Sequence, residues 1–188
     1  TKTETVVRNE FVAAASAIGF FPSTRFPEDG HAPYVNVSGV AAGHQHTDSP
    51  MPDFMKTFGM YGVKADKKSI PDCVFSWTPE CQKLFINRYM TCDGWVCTKC
   101  NGVLQIGFCS KSETLARGMS HLLLRFGIPG KLRIKKAKTS KGIEKYWTWE
   151  TSTRGAVTVI ESIGFYGDKH SNALRLVTEL QKRKQLQR

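Results

Sequence analysis

The stretch Ile86-Asn-Arg-Tyr-Met-Thr-Cys-Asp-Gly94 decides how the second half of this chain folds. It closes a predicted helix that begins at Thr78-Pro79-Glu80, since a hydroxyl side chain followed by proline is typical of a first helical turn. The helix is predicted to run to about Cys92 and to stop at Asp93-Gly94. The same stretch therefore places a carboxylate at the end of a helix.

Strand and helix patterns follow this helix. Residues 95–99 and 103–109 predict a hairpin, because Asn101-Gly102 between them is a strong turn signal. The stretch LARGMSHLLLRFGI predicts a second helix, and the remaining predicted elements are strands 131–136 and 145–151 and helices 155–163 and 169–187. The order α-ββ-α-ββ-α predicts an α+β fold with helices on one face of an antiparallel sheet.

Part of this pattern occurs twice. Thr1-Lys-Thr-Glu-Thr5 reappears as Ser110-Lys-Ser-Glu-Thr114, and FGMYGVK at 58–64 reappears as IGFYGDK at 163–169. The matched segments come in the same order and at nearly the same separation. We therefore predict two pseudo-symmetric copies of one unit about 105–109 residues apart.

The two copies are predicted to differ in completeness. Residues 71–188 contain every predicted element, whereas residues 1–70 lack a counterpart of the first helix and its hairpin. We expect the missing elements either on the other chain of a split protein or in an upstream segment.

The charge of the chain points to an anionic partner. Its 188 residues carry a net charge of +11, and 40% of them are hydrophobic, which is enough for a folded core. Residues 1–100 contain 10 Lys and Arg against 10 Asp and Glu, whereas residues 101–188 contain 17 against 6. The second half is therefore expected to provide most of the electrostatic attraction to this partner. No apolar run approaches the roughly 20 residues that a helix needs to span a bilayer, so a membrane is not the expected partner.

Three ordered motifs give the chain a family resemblance. The stretch at 86–94 resembles the helix-ending motif of LAGLIDADG homing endonucleases. Lys68-Ser-Ile-Pro71 before it is similar to the K-x-I-P block of intein-borne members, and VLQIGFCSKSETLARGMSHLLLRFGI after it is similar to their strand-helix stretch. The resemblance implies two αββαββα units whose saddle-shaped sheets lie on DNA.

The resemblance also implies a catalytic site. Asp93, with Gly94 beside it, would bind Mg²⁺ or Mn²⁺, since a carboxylate suits a hard divalent cation. Lys68 would lie near the scissile phosphate, with Lys64 and Lys67 as alternatives, and Lys169 would serve the second half-site. The alternative for Asp93 is an Asx turn at a helix end.

Two residues depart from the family motif. Arg88 stands where the motif has glycine, so a partner helix would need a small or acidic residue opposite it or a looser interface. Thr91 replaces the first motif aspartate, which is more often structural than metal-binding in this family.

The second predicted hairpin is the main candidate for DNA recognition. Lys131, Arg133 and Lys135 alternate with Leu132 and Ile134, which predicts one cationic and one apolar face. A two-stranded ribbon of this kind fits the major groove. Further candidates for DNA contact are Lys136, Lys138 and Lys141 near the turn, and Lys99, Asn101, Gln105, Arg25 and Asn36 on other strands.

Other motifs favour plainer interpretations. Cys97-Thr-Lys-Cys100 has no second metal-binding pair, so reduced thiols are favoured over zinc. Trp147 and Trp149 share one strand face and are expected to pack under helices rather than on unpaired bases. Gly43-His-Gln-His46 with Asp48 is interpreted as a polar insertion.

Taken together, the motifs predict an intein-derived LAGLIDADG homing endonuclease that hydrolyses phosphodiester bonds in double-stranded DNA. It would work inside the cell, with the genome, and would need a second polypeptide or upstream segment for the other catalytic aspartate. One alternative is a cleavage-inactive relative that binds DNA or acts as an intron RNA maturase. Another is a basic structural domain that docks on a protein and needs neither Asp93 nor a metal.

Overall fold

The computed structural model describes residues 5–40, 49–139 and 142–186. The chain divides into two compact units, Thr1–Gly62 and Val63–Arg188. This boundary lies before the predicted one at 70/71, because the segment after Gly62 packs with the second unit. Ile70 is buried in the core of that unit, and the Ser112 hydroxyl donates a hydrogen bond to the Lys68 carbonyl at 2.5 Å.

The first unit contains two helices and one hairpin. Its elements are α1 (Thr5–Ala17), β1 (Phe21–Arg25), β2 (Tyr34–Ser38) and α2 (Met51–Thr57). The two strands are antiparallel, with Ser23 opposite Asn36 and Arg25 opposite Tyr34. The predicted polar insertion at 43–48 lies outside the described residues.

The second unit has the predicted order of helices and strands. A short 3-10 helix (Asp72–Ser76) precedes α3 (Pro79–Asp93), β3 (Gly94–Thr98), β4 (Leu104–Ser110), α4 (Glu113–Arg125), β5 (Lys131–Thr139), β6 (Gly142–Ser152), α5 (Arg154–Ser162) and α6 (Asp168–Leu186). The strands form one antiparallel sheet in the order β3-β4-β6-β5. The α+β prediction is confirmed, and both β5 and β6 extend further toward their turn than the sequence suggested.

Local sequence signals explain why these elements begin and end where they do. The Thr78 hydroxyl caps α3 by accepting a hydrogen bond from the Cys81 amide, and the Ser112 hydroxyl caps α4 in the same way through the Leu115 amide. Between β3 and β4, Gly102 has φ 79°, and the Asn101 side chain accepts a hydrogen bond from the Val103 amide. The hairpin predicted at Asn101-Gly102 is confirmed.

One face of the sheet forms the core of the second unit. Ile106, Phe108 and Trp149 are fully buried there against helix residues such as Met90 and Met119. The Phe108 and Trp149 rings stack with centroids 5.6 Å apart. Trp147 also packs against this core, so the prediction that both tryptophans pack under helices is confirmed.

The opposite face of the sheet, which we call the open face, carries the residues that alternate with this core. Strand alternation and the observed register place Gln105, Thr148, Glu150, Tyr146, Glu144, Lys131, Arg133 and Lys135 on it. No helix within the described residues is long and apolar enough to cross a membrane.

The backbone agrees with the predicted repeat. Gly59 and Gly164 are matched in the two copies and have φ 65° and 71°, and the matched Gly62 and Gly167 have φ 71° and 63°. Left-handed backbone at both pairs means that the two segments turn in the same way after a helix.

Candidate functional site

Asp93 is an exposed carboxylate at the junction of α3 and β3. The helix ends at Asp93, and Gly94 is already the first residue of the strand. A Cβ atom at Gly94 would lie 2.5 Å from the Met90 carbonyl oxygen, so only glycine permits this close turn. The sequence thus places the carboxylate directly beside the sheet and in contact with solvent.

Tyr89 lies one helical turn before this carboxylate. Its ring packs edge-on against Phe108 with centroids 5.3 Å apart. Burial, and then the neighbouring negative charge of Asp93, raise the pKa of the Tyr89 hydroxyl well above its usual value. The phenol therefore stays neutral beside Asp93 and can donate a hydrogen bond.

Lys169 holds the carboxyl end of α3. Its Nζ donates hydrogen bonds to the carbonyls of Met90 at 3.1 Å, Thr91 at 2.5 Å and Gly94 at 2.6 Å. The last carbonyls of a helix lack intrahelical partners and attract positive charge. Lys169 lies at the start of α6, where the helix dipole disfavours a positive charge. Its bonds to the carbonyls at the end of α3 offset this unfavourable interaction.

Thr91 and Asn87 tie α3 to the connection between α5 and α6. The Thr91 hydroxyl donates to the Asn87 carbonyl at 2.7 Å and accepts a hydrogen bond from the Tyr166 amide at 2.8 Å. The Asn87 amide donates to the Ile163 carbonyl at 2.9 Å. Thr91 is 1% exposed, so its contacts here are structural, and they position the connection that carries Lys169.

Lys68 lies at the same end of β4 as Asp93. Gly94 pairs with Phe108 near the end of this strand, and Ser112, just beyond the strand, contacts the Lys68 backbone. The Lys68 side chain is exposed, as are those of Lys64 and Lys67. The assignment of a catalytic lysine among these three stays a prediction.

Asp93 offers one oxygen ligand for a divalent cation. No group of three or more His, Cys, Asp or Glu side chains that could hold an ion occurs within 5–40, 49–139 and 142–186. Asp93 offers an accessible hard oxygen, whereas the Gly94 carbonyl already accepts the Lys169 ammonium. Asp93 alone would leave most positions around a divalent cation to water, phosphate oxygens and further carboxylates.

The predicted cations of the second hairpin are divided between two faces. Lys131, Arg133 and Lys135 lie on the open face, opposite Glu150, Thr148 and Tyr146 respectively. Lys136 and Lys138 lie on the other face, opposite Lys145 and Ile143. These five residues therefore cannot form one recognition surface, and Lys141 lies outside the described residues.

A groove of about 640 Å³ collects several predicted DNA-contacting residues at one end of the sheet. Lys99, Gln105, Lys131 and Arg133 line it, together with Arg154 and Glu150. Arg133 Nη1 lies 3.4 Å from Glu150 Oε1. Sequence reasoning missed Arg154 and Glu150; strand alternation alone would have placed Glu150 on the face opposite Trp149.

A second carboxylate on the open face binds a lysine and a tyrosine. Glu144 accepts hydrogen bonds from Lys111 Nζ at 2.6 Å and from the Tyr146 hydroxyl at 2.9 Å. The bond from Lys111 is the main reason that the pKa of Glu144 is lowered, and the bond to Glu144 is the main reason that the pKa of Lys111 is raised. Lys111 and Glu144 are 33 residues apart in sequence, and no local signal pairs them.

The remaining predicted contacts lie at different places. Arg25 and Asn36 share the exposed face of the β1–β2 hairpin in the first unit. The Asn101 side chain accepts the hydrogen bond from the Val103 amide within its own turn. None of the six cysteines forms a disulfide, and among the residues that the structure describes no third metal ligand joins Cys97 and Cys100.

The outer face of α3 is apolar. Leu84 is 53% exposed and Trp77 is 41% exposed, and together with Cys81 and Phe85 they line a shallow groove. Arg88 borders this groove, and its guanidinium stacks 4.2 Å from the centroid of the Tyr166 ring. The arginine at the glycine position of the motif is thus directed along the flank of the helix.

A model of a known protein family matches part of the chain. Residues 80–164 match the model of the LAGLIDADG-like domain. The matched segment begins in the first turn of α3, ends just after α5 and includes α4 and all four strands of the sheet.

Similarity to individual proteins is confined to small parts of them. The chain is 26% identical over 131 residues to the replicative DNA helicase DnaB of Rhodothermus marinus, covering 69% of the chain and 14% of the helicase. It is 33% identical over 85 residues to protein RecA of Mycobacterium tuberculosis, covering 43% of the chain and 10% of that protein. It is 31% identical over 113 residues to the replication factor C small subunit of Methanocaldococcus jannaschii, covering 60% of the chain and 6% of that protein.

Proposed function

We propose, on the premise that residues 80–164 form a LAGLIDADG-like domain of the homing-endonuclease type, that this protein is a site-specific DNA endonuclease. One observation carries the proposal. The exposed carboxylate of Asp93 lies where α3 turns directly into a sheet whose open face carries Lys131, Arg133 and Lys135. A duplex on that face would bring its phosphates near this carboxylate.

The proposed reaction is hydrolysis of a phosphodiester bond in a long double-stranded target. Mg²⁺ or Mn²⁺, when bound, would lower the pKa of its water and stabilise the charge that develops on phosphorus. Asp93 would hold the ion, and Lys169 would hold the helix end that presents Asp93. Lys68, from its place at the end of β4, would stabilise the negative charge of the transition state.

We further propose that a second motif helix packs on the outer face of α3 and brings the other carboxylate. Cys81, Leu84, Arg88 and Cys92 recur at helical spacing along this face, and the exposed side chain of Leu84 is apolar. The Arg88 guanidinium stacks on the Tyr166 ring and donates to Asn87 Oδ1 at 2.6 Å, so the second helix would need a small or acidic residue opposite it or a looser interface. The second helix would come from another polypeptide or another segment of a longer protein.

An intein origin would explain the pattern of similarity. The three relatives have different names, and each resembles this chain over 14% of its length or less. A module inserted into otherwise different proteins would give this pattern. An enzyme of this kind would work inside the cell, with the genome.

A cleavage-inactive relative that binds DNA or acts as an intron RNA maturase is the second candidate. It is favoured by the environment of Lys169, whose ammonium is bound to three backbone carbonyls and so serves the helix end.

Replacing Asp93 by asparagine separates these functions. A plasmid library with random inserts would be incubated with the protein and Mg²⁺, and cut molecules would be sequenced. We expect Asp93→Asn to abolish cutting while duplex affinity is retained, because the side chain keeps its size and loses its charge. Asp72→Asn, at an exposed position of the 3-10 helix, is the matched control and should cut normally.

Two results would decide against cleavage at Asp93. Cutting by Asp93→Asn would show that the ion is held elsewhere. Binding of duplex by the wild-type protein without cutting, even when a second motif helix is supplied, would favour the cleavage-inactive function.

A further inference from the structure

Glu150 is a shielded carboxylate in the middle of a cationic face. Its side chain is 16% exposed, and it lies opposite Lys131 on β5 and opposite Gly107 on β4. Its Oε1 is 3.4 Å from Nη1 of Arg133, whose own side chain is 58% exposed. The carboxylate thus lies beside the guanidinium, and most of the Arg133 side chain is open to solvent.

A carboxylate at this place opposes the binding of any polyanion. Negative charge near phosphates lowers affinity, so a face built only to attract DNA gains nothing from Glu150. Specific reading of a base is different, because a bidentate contact requires the guanidinium to be held in one orientation. The carboxylate then lowers the overall affinity for DNA but fixes the orientation of the arginine that reads the base.

We propose that Glu150 is a positioning residue that orients Arg133 to read a base pair in the groove formed by Lys99, Gln105, Lys131, Arg133, Glu150 and Arg154. The proposal rests on the proposed DNA-binding function and deepens it. Arg133 would contact the O6 and N7 atoms of guanine, which is the geometry that its two parallel donors match.

Gln105 in the same groove supports a reading role. It is 6% exposed, and its side chain makes no hydrogen bond with the part of the chain that the structure describes. A mostly buried amide without a protein partner suits a ligand that offers both a donor and an acceptor. The N6 and N7 atoms of adenine offer that pair, so Gln105 would read the base step beside that of Arg133.

The exposed cations of the groove would have a different task. Lys99, Lys131 and Arg154 are exposed. Flexible cations of this kind contact phosphates and carry no sequence information. In this groove, Arg133 oriented by Glu150 would read a base, and the exposed cations around it would contact phosphates.

Selection from a random duplex library tests the assignment. Wild type, Glu150→Gln, Arg133→Ala and Arg133→Lys would each select duplexes, and binding of selected and unselected duplexes would then be measured. Glu161→Gln is the matched control, since it removes the same charge from an exposed position on α5. Thermal unfolding would confirm that every variant is folded.

We expect Glu150→Gln and the two Arg133 variants to lose preference at the same base pair, by about fivefold to 150-fold. Affinity of Glu150→Gln for unselected duplex should equal or exceed that of wild type, because a negative charge has been removed. Arg133→Lys should keep the wild-type affinity for unselected duplex, because lysine keeps the positive charge and loses only the bidentate hydrogen-bond geometry.

Three outcomes would overturn the proposal. A preference lost by Glu150→Gln at a base pair that Arg133→Ala leaves intact would mean that Glu150 reads cytosine itself. An equal loss of affinity for all duplexes would mean a merely structural glutamate, and wild-type binding without any preference would remove base reading altogether. If wild type binds no duplex, the proposed function itself fails, which is a separate and recognisable result.

Discussion

Replacing Lys169 by methionine removes the cation that three backbone carbonyls share at the carboxyl end of α3. These carbonyls belong to Met90, Thr91 and Gly94, at 3.1, 2.5 and 2.6 Å from Nζ. Methionine keeps the length of the side chain and its apolar stem but donates no hydrogen bond. The carbonyls of Thr91 and Gly94 would then depend on water, whereas the Met90 carbonyl still accepts the Gly94 amide.

The cost can be worked out from these contacts. A hydrogen bond to a charged group contributes about 1.5–3 kcal/mol, and a cation at a partly buried helix end contributes up to about 2 kcal/mol. The bonds share one ammonium and the carbonyls can gain water, so the contributions overlap. We expect a loss of about 2–3 kcal/mol in the free energy of unfolding, or roughly 6–12 °C in the melting temperature of the second unit.

Tryptophan fluorescence in a urea titration measures the unfolding free energy of the second structural unit. All four tryptophans, Trp77, Trp95, Trp147 and Trp149, lie within Val63–Arg188, so their emission follows unfolding of the second unit alone. Lys182→Met, at an exposed position of α6, is the matched control and should change the free energy by less than about 0.5 kcal/mol. A change that small in Lys169→Met would refute the reasoning that this ammonium holds the helix end.

Two further predictions concern the pair on the open face and the outer face of α3. Because the pKa of Glu144 is lowered by Lys111 and Tyr146, the stability that this carboxylate contributes is present above its unfolded pKa and is lost as the pH falls through the lower folded pKa. The stability difference between wild type and Glu144→Gln in urea titrations should therefore shrink from pH 7 to pH 3, and a constant difference would contradict the ion pair. Leu84→Glu should leave the unfolding free energy within about 0.5 kcal/mol, because the side chain is 53% exposed, yet prevent association with a second motif helix in sedimentation. Unchanged association would place that helix elsewhere.

Local signals in the sequence were enough to predict most of the second unit. Thr78 and Ser112 cap the helices that follow them, Asn101-Gly102 makes the hairpin, and the alternation around Trp147 and Trp149 identifies the core face. Each of these features depends on hydrogen bonds or periodicities that span only a few residues. That is why a single sequence, read without relatives, can show them.

The composition of the site depends on contacts between distant parts of the chain. Lys169 lies 75 to 79 residues from the carbonyls that it binds, and Glu144 lies 33 residues from Lys111. Likewise, the register of β5 and β6 separates Arg133 from Lys136 and joins it to Glu150.

Short stretches of sequence were enough to predict the order of helices and strands, the basic second half and the carboxylate of Asp93 at a helix end. Contacts between distant parts of the chain place Lys169 at the end of α3, pair Glu150 with Arg133 and join residues 63–70 to the second unit. The physical reason is that capping and alternation are short-range properties of the backbone. Which charges meet depends instead on strand register and helix packing, and these are set by burial of the whole core.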